Sequence, residues 1–220
     1  DSTHPNSLVL SPSALNAYLD CRLRFYYRYV AGLKTPDEVS AEIDSALFGT
    51  IFHLSAQLAY TDLTATGKTI QKEDLERLLR NDVKLQSYVD QAFKKELFKV
   101  SPVEKPEYND LQYTPFEMVA MEKKVSEEIT IQTGQGPFTL RLGGTIDRMD
   151  AKESTLRIVD YKTGGSPKIP ANIEQLFTPS ETRPNYIFQT FLYAAIMSRQ
   201  QSLMVAPALL YIHRAASENY

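Results

Sequence analysis

Cysteine is almost missing from this 220-residue chain, with Cys21 the single instance. One cysteine excludes an internal disulfide and any four-cysteine metal site built from this chain alone, and it fits a reducing compartment. No apolar run of about eighteen residues occurs, so no membrane partner is expected. No signal peptide is visible either, which makes a cytoplasmic location the default expectation. Positive charge is not in surplus: 24 Lys and Arg stand against 27 Asp and Glu, a net charge of −3. A nucleic-acid role would therefore need a local basic strip, or basic surfaces supplied by a neighbouring domain. Internal repeats and low-complexity segments are also absent.

What is present is enough apolar sequence, 43% of the chain, for a substantial core. The length suits one domain over residues 1–220, with residues 61–115 as a helical insertion. The chain opens without methionine and ends abruptly at Glu218-Asn219-Tyr220, which reads as a domain excised from a longer protein.

The most informative stretch is Gly143–Gly164, GGTIDRMDAKESTLRIVDYKTG. Two short β-prone runs, Thr145–Met149 and Leu156–Lys162, flank a polar Asp150–Ser154 segment that suits a turn. With a turn centred on Lys152 and Glu153, Asp147 is expected opposite Ile158 and Asp160 opposite Thr145. The two carboxylates would then be diagonal neighbours on one face, with Cβ atoms roughly 7 Å apart or less. Period-2 alternation puts Lys162 on that face as well. Converging carboxylates repel unless a proton or cation lies between them. A divalent metal would relieve that repulsion, and the lysine could then meet an anionic oxygen of a substrate. A solvated hairpin with ordinary surface charges is the competing reading of the same spacing.

The remaining chain supplies the frame. Ser11-Pro12 is a helix start, leading into the aromatic-basic stretch Arg22-Leu23-Arg24-Phe25-Tyr26-Tyr27-Arg28-Tyr29. Arginine interleaved with tyrosine can clamp a single strand, although such rings are more commonly core with the arginines reaching outward. Gly32–Val39 reads as a loop. A second helix is expected over Ala46–Tyr60, burying Leu47, Phe48, Ile51, Phe52, Ser55, Leu58 and Ala59. Gly49 on it invites a close approach, and His53 flanks the buried face, where a lone histidine reads as a hydrogen-bonded core residue. Helical repeats continue over 72–81 and 84–98, with Leu75, Leu78, Leu79, Val83 and Leu85 as a satellite core. Strand-like runs follow at 118–121, 129–131 and 138–142, the last two joined by a turn at Gly134-Gln135-Gly136-Pro137. Glu122 reads as a solvent-facing strand residue, with the hairpin's acidic face as the alternative. After a proline-rich connection over 168–184, a third helix at Asn185–Arg199 is expected to bury Phe188, Phe191, Leu192, Ala195 and Ile196. Gln189 and Tyr193 share its neighbouring stripe. Met204–Ile212 suits an inner strand.

The ordered set SPSALNAYLDCRLRFYYRY, LFGTIFH, GGTIDRMD, IVDYKTG and QTFLY resembles the RecB/AddB-like branch of the PD-(D/E)XK nuclease superfamily. The likeness runs from about Ser11 to Ile212; each motif is common alone, but five in order are specific. It implies a restriction-endonuclease-like α/β core, a central mixed sheet flanked by helices with the hairpin as its middle strands. It implies His53, Asp147, Asp160 and the Tyr161 carbonyl as metal ligands, with Mg2+ as the ion and Mn2+ as a substitute. Asp147, Asp160 and Lys162 would be the catalytic residues, and Gln189 and Tyr193 would face the nucleic acid. The resemblance further implies a DNA exonuclease, the nuclease domain of a helicase–nuclease in recombination and repair, with helicase domains or subunits as partners. A catalytically inactive DNA-binding or assembly module is the alternative. Some relatives carry an iron–sulfur cluster held by four cysteines. This chain cannot build one, so Cys21 is expected to be a small buried hydrophobe.

Overall fold

The computed structural model describes residues 9–34, 45–65, 67–96, 113–164 and 168–212. The lead-in before residue 9, the end of the first loop, residues 97–112 of the expected insertion, Gly165-Ser166-Pro167 and the chain end lie outside the described residues.

Helix α1 (Pro12–Asp20) starts as expected: the Ser11 Oγ accepts the Ala14 amide at 3.1 Å, and Pro12 occupies the first turn, where its missing N–H costs nothing. It buries Pro12, Ala14 and Ala17, then stops where Cys21 adopts an extended backbone. Beyond that break come α2 (Arg22–Phe25) and a π-helical turn (Tyr26–Val30), neither of which buries a residue. The break swings this segment off the face that α1 buries. The aromatic-basic stretch is therefore exposed rather than core, and Cys21 is exposed rather than buried.

Helix α3 (Ser45–Leu63) is longer than its periodicity suggested. It buries Ile51, Phe52, Leu54, Ser55, Ala56 and Tyr60, so it is covered on two sides. Ile51 and Leu54 meet Ala92 and Phe93 of α5 (Asp82–Glu96), while Phe52 and Ala56 meet Val159 and Tyr161 of the sheet. The expected insertion also contains a two-residue strand, β1 (Thr69–Ile70), and α4 (Lys72–Leu79). Leu75 joins Tyr60, Ile70, Phe116 and Met118 in one apolar cluster, whereas Val83, expected in that core, is 82% exposed.

Among the described residues, five strands form one sheet in the order β1-β2-β3-β4-β5. The three strand-like runs are in fact one long antiparallel ribbon, β2 (Phe116–Thr133) with β3 (Gly136–Lys152). β4 (Thr155–Lys162) pairs antiparallel with β3, and β5 (Met204–Tyr211) pairs parallel with β4. Between β4 and β5 lies helix α6 (Asn185–Gln200), the crossover that a parallel pair requires. β5 is an edge strand of this sheet, not an inner one, and Pro207 within it suits that place.

The hairpin register differs from expectation by two residues. β3 runs through Lys152, the turn is only Glu153-Ser154, and Met149 rather than Asp147 lies opposite Ile158. Burial explains the shift. Asp150, expected in a polar turn, is fully buried and binds two guanidinium groups. Arg148 Nε donates to its Oδ2 at 2.7 Å, and Arg157 Nε donates to its Oδ1 at 3.0 Å. Arg148 Nη1 also donates to the Tyr60 hydroxyl at 2.8 Å, tying the sheet to α3. A buried charge is tolerated only when paired and hydrogen-bonded in this way. Helix α6 is also rotated from its expected face: Thr190, Tyr193 and Ala194 are buried, while Phe191 is 51% exposed.

Candidate metal centre

The β3–β4 ladder ends at Arg148 and Val159. Past that point the Asp147 carboxylate takes the place of a ladder partner, its Oδ2 accepting the Tyr161 N–H at 2.8 Å. Its Oδ1 lies 3.6 Å from His53 Nδ1, and the same nitrogen is 3.6 Å from Glu122 Oε1. One donor atom from each of His53, Glu122 and Asp147 thus falls within 4.8 Å of the other two. These three come from α3, β2 and β3. α3 is anchored over the sheet by Phe52, whose ring packs edge-on against Tyr161 at 5.4 Å. Gly49, one turn before His53, faces Thr163; a Cβ there would sit 3.2 Å from the Thr163 hydroxyl. Glycine therefore lets the helix settle against the end of β4.

Glu122 is the residue that sequence reading turned toward solvent. Its backbone lies at φ +48°, the left-handed region, which is costly for a side chain with a Cβ. That reversal within a strand breaks the period-2 alternation of side chains. The carboxylate points to His53 instead. No local sequence signal announces a left-handed glutamate.

A second group lies alongside. Asp160 is buried, with Oδ2 2.5 Å from Lys162 Nζ and Oδ1 accepting Gln189 Nε2 at 2.7 Å. Lys162 also donates to Gln189 Oε1 at 3.4 Å and lies 4.6 Å over the Tyr186 ring. Gln189 therefore touches both the aspartate and the lysine. Tyr193 is buried among Ile146, Met149, Leu156 and Ile158. A Cβ on Gly144 would come within 2.5 Å of its hydroxyl, so the phenol lies directly beneath β3. Of the residues named from sequence, His53 and Asp147 meet directly, and Asp160, Lys162 and Gln189 meet directly. Tyr161 joins the two sets through its amide, and Tyr193 supports the strands from below.

The electrostatics are those of a site short of positive charge. Burial, reinforced by the charge of Asp160, pushes the Asp147 carboxyl up to about 7. Burial likewise raises Asp160, with Lys162 and His53 opposing. Burial alone would lower the His53 imidazole; the Glu122 hydrogen bond and the charges of Asp147 and Glu122 outweigh it, so the net shift is upward. Burial, with Asp160 and Asp147 nearby, raises the Tyr193 phenol and keeps it protonated. A divalent cation among His53, Glu122 and Asp147 would offset the burial and the carboxylate repulsion that raise Asp147. Two carboxylates and an imidazole are donors that Mg2+ and Mn2+ accept, so the residues fit such an ion.

The cluster opens into a cleft of about 700 Å³ whose walls include Gly49, Gln57, Lys162 and Tyr186. Such a cleft has room for a phosphate group and its sugar, with Lys162 at the wall to meet the anion.

Residues 9–218 match the family model of the PD-(D/E)XK nuclease superfamily. No curated protein matches the chain at a significant level. That superfamily consists of nucleic-acid hydrolases that work with divalent metals, and its mixed-sheet core is the one observed. Since the family match spans nearly the whole chain, this chain belongs to the PD-(D/E)XK nuclease superfamily.

Proposed function

We propose that this chain is a Mg2+-dependent deoxyribonuclease, an exonuclease domain of a RecB/AddB-like helicase–nuclease acting in DNA recombination and repair. The observation that carries the reading is the convergence of His53, Glu122 and Asp147 beside the Asp160–Lys162–Gln189 group. The five ordered motifs support the RecB/AddB-like assignment, and the net charge of −3 favours a parent assembly whose helicase domains deliver the DNA.

In this reading His53, Asp147 and Asp160 hold the ion, with the Tyr161 carbonyl as a further ligand and Glu122, which sequence favoured as solvent-facing, as another. The bound ion contributes polarisation of the phosphodiester and a lowered pKa for water. The protein's own groups do the rest. Lys162, fixed by Asp160 and Gln189, presents an ammonium to the charge that builds on phosphate oxygens as the ester is attacked. Gln189 holds lysine and aspartate in register, so the ammonium needs little reorganisation. Tyr193 braces β3 beneath Gly144 and keeps Asp147 in the fork between strands.

End-labelled single- and double-stranded DNA, incubated with and without Mg2+, tests the assignment. Cleavage is expected only with the metal. Asp160→Asn is expected to reduce it by on the order of 10²-fold or more while melting near the wild-type temperature. Undiminished Mg2+-dependent cutting by that variant would contradict the role of Asp160 as a ligand and partner of Lys162.

A further inference from the structure

The aromatic-basic segment past Cys21 is not used by the metal centre, and its composition is unusual for a surface. Between Tyr18 and Lys34 stand five aromatic rings, three arginines and a lysine, against one acidic residue, Asp20. Asp20 is already engaged, with Oδ1 accepting Arg183 Nη2 at 2.8 Å and Oδ2 accepting Arg24 at 3.2 Å. The rings lie outside: Tyr18, Tyr26 and Tyr27 are 43%, 51% and 47% exposed. They are also ordered among themselves. Phe25 stacks on Tyr29 at 5.4 Å, Tyr26 meets Tyr27 edge-on at 5.5 Å, and Arg22 and Arg28 each lie 5.6 Å over a tyrosine ring. Tyr26–Val30 form a π-helical turn, a rare geometry that is frequent at functional sites.

The ridge is fixed to the catalytic side of the fold. Arg183, which binds Asp20, also donates to the Asn16 carbonyl at 3.3 Å, and the Asn16 side chain donates to the Asn185 carbonyl at 3.3 Å. Tyr186, next in the chain, forms the cleft wall over Lys162. Asp20, at the start of the ridge, is thus linked through Arg183 and Asn185 to the residue that walls the cleft.

We propose that the Tyr18–Lys34 ridge is a binding surface for single-stranded DNA. Its rings stack on successive bases while Arg22, Arg24 and Arg28 pair with the phosphates between them. A single strand offers both partners, unstacked base faces and a dense line of negative charge. A duplex keeps its base faces stacked inside and could use only the arginines. The proposal rests on the nuclease reading for its substrate, but the strand is held by groups outside the metal centre.

Fluorescence anisotropy of labelled oligo-dT and of a blunt hairpin duplex, titrated with the protein in EDTA, separates binding from cleavage. Wild-type protein is expected to prefer the single strand. Tyr26→Ala with Tyr27→Ala should weaken oligo-dT binding about thirtyfold or more, the low end of the range for losing two base stacks. Arg22→Ala with Arg28→Ala should flatten the logarithmic salt slope by about 1.4, at about 0.7 per phosphate contact in single strands. All four side chains are exposed, so the variants are expected to melt with the wild type. Unchanged oligo-dT affinity in both variants, or a loss in the tyrosine variant equal for strand and duplex, would overturn the proposal. Metal-dependent cleavage that persists alongside either of those results would leave the nuclease reading standing. Intact ridge binding in a protein that cuts nothing would instead remove the nuclease reading alone.

Discussion

At the scale of single residues, the site is defined by carboxyl groups held in conditions that oppose their charge. Asp147, raised to about 7, and Asp160, raised in the same direction, keep protons in the folded chain that the unfolded chain has already released. Between the ordinary aspartate range near pH 4 and about pH 7, the folded state therefore binds more protons than the unfolded state. Stability of the metal-free protein should fall as pH rises through that window. His53 acts in the same sense, because its raised pKa gives a contribution that is lost as pH rises through the folded value. A divalent ion needs these ligands without their protons. The rise in melting temperature on adding Mn2+ should thus be larger at pH 8 than at pH 6, as read by differential scanning fluorimetry. An equal or smaller rise at pH 8 would show that these carboxyls do not hold the ion. Asp147, Asp160 and Lys162 were visible in sequence because their spacing survives in one hairpin. Glu122 was not, because a left-handed backbone in mid-strand leaves no periodic trace.

At the scale of elements, the β3–β4 hairpin is set by its buried charges as much as by its turn. A five-residue polar turn was a fair reading of Asp150–Ser154. Burial of Asp150 between Arg148 and Arg157 carries the strands further and moves the register by two residues. The sequence could not show this, because the partners that neutralise Asp150 are chosen by strand pairing. The same brace ties Tyr60 of α3 to the sheet and lies one residue from Asp147. Replacing Asp150 with alanine leaves two guanidinium groups without their shared carboxylate. It should cost about 3–5 kcal/mol in chemical denaturation. A loss under about 1 kcal/mol would mean that the hairpin does not depend on this charge cluster. The helices were legible as elements but not in facing. α6 turns Tyr193 inward and Phe191 outward, because the hydroxyl and ring of Tyr193 fit under Gly144.

At the scale of the whole molecule, the mixed sheet acts as a rigid platform. α3 brings an imidazole over one side of the β3–β4 fork, and α6 brings Gln189 to the lysine on β4. Four elements, α3, β2, β3 and β4, supply the candidate ligands, so no single motif could establish the centre. The exposed segment past Cys21 was ambiguous in sequence for a similar reason: arginine and tyrosine in alternation suit a core as well as a surface. The direction of the chain after the helix break decides between them. No described helix is long and apolar enough to cross a membrane. The central claim is that His53, Glu122, Asp147 and Asp160 enclose one divalent cation. Crystals grown with excess Mn2+, measured at an energy where manganese scatters anomalously, test it most directly. An anomalous peak between the His53 ring nitrogen and the Asp147 carboxylate, within bonding reach of a second carboxylate, is the predicted result. A map without a peak among these residues at saturating Mn2+ would contradict the claim.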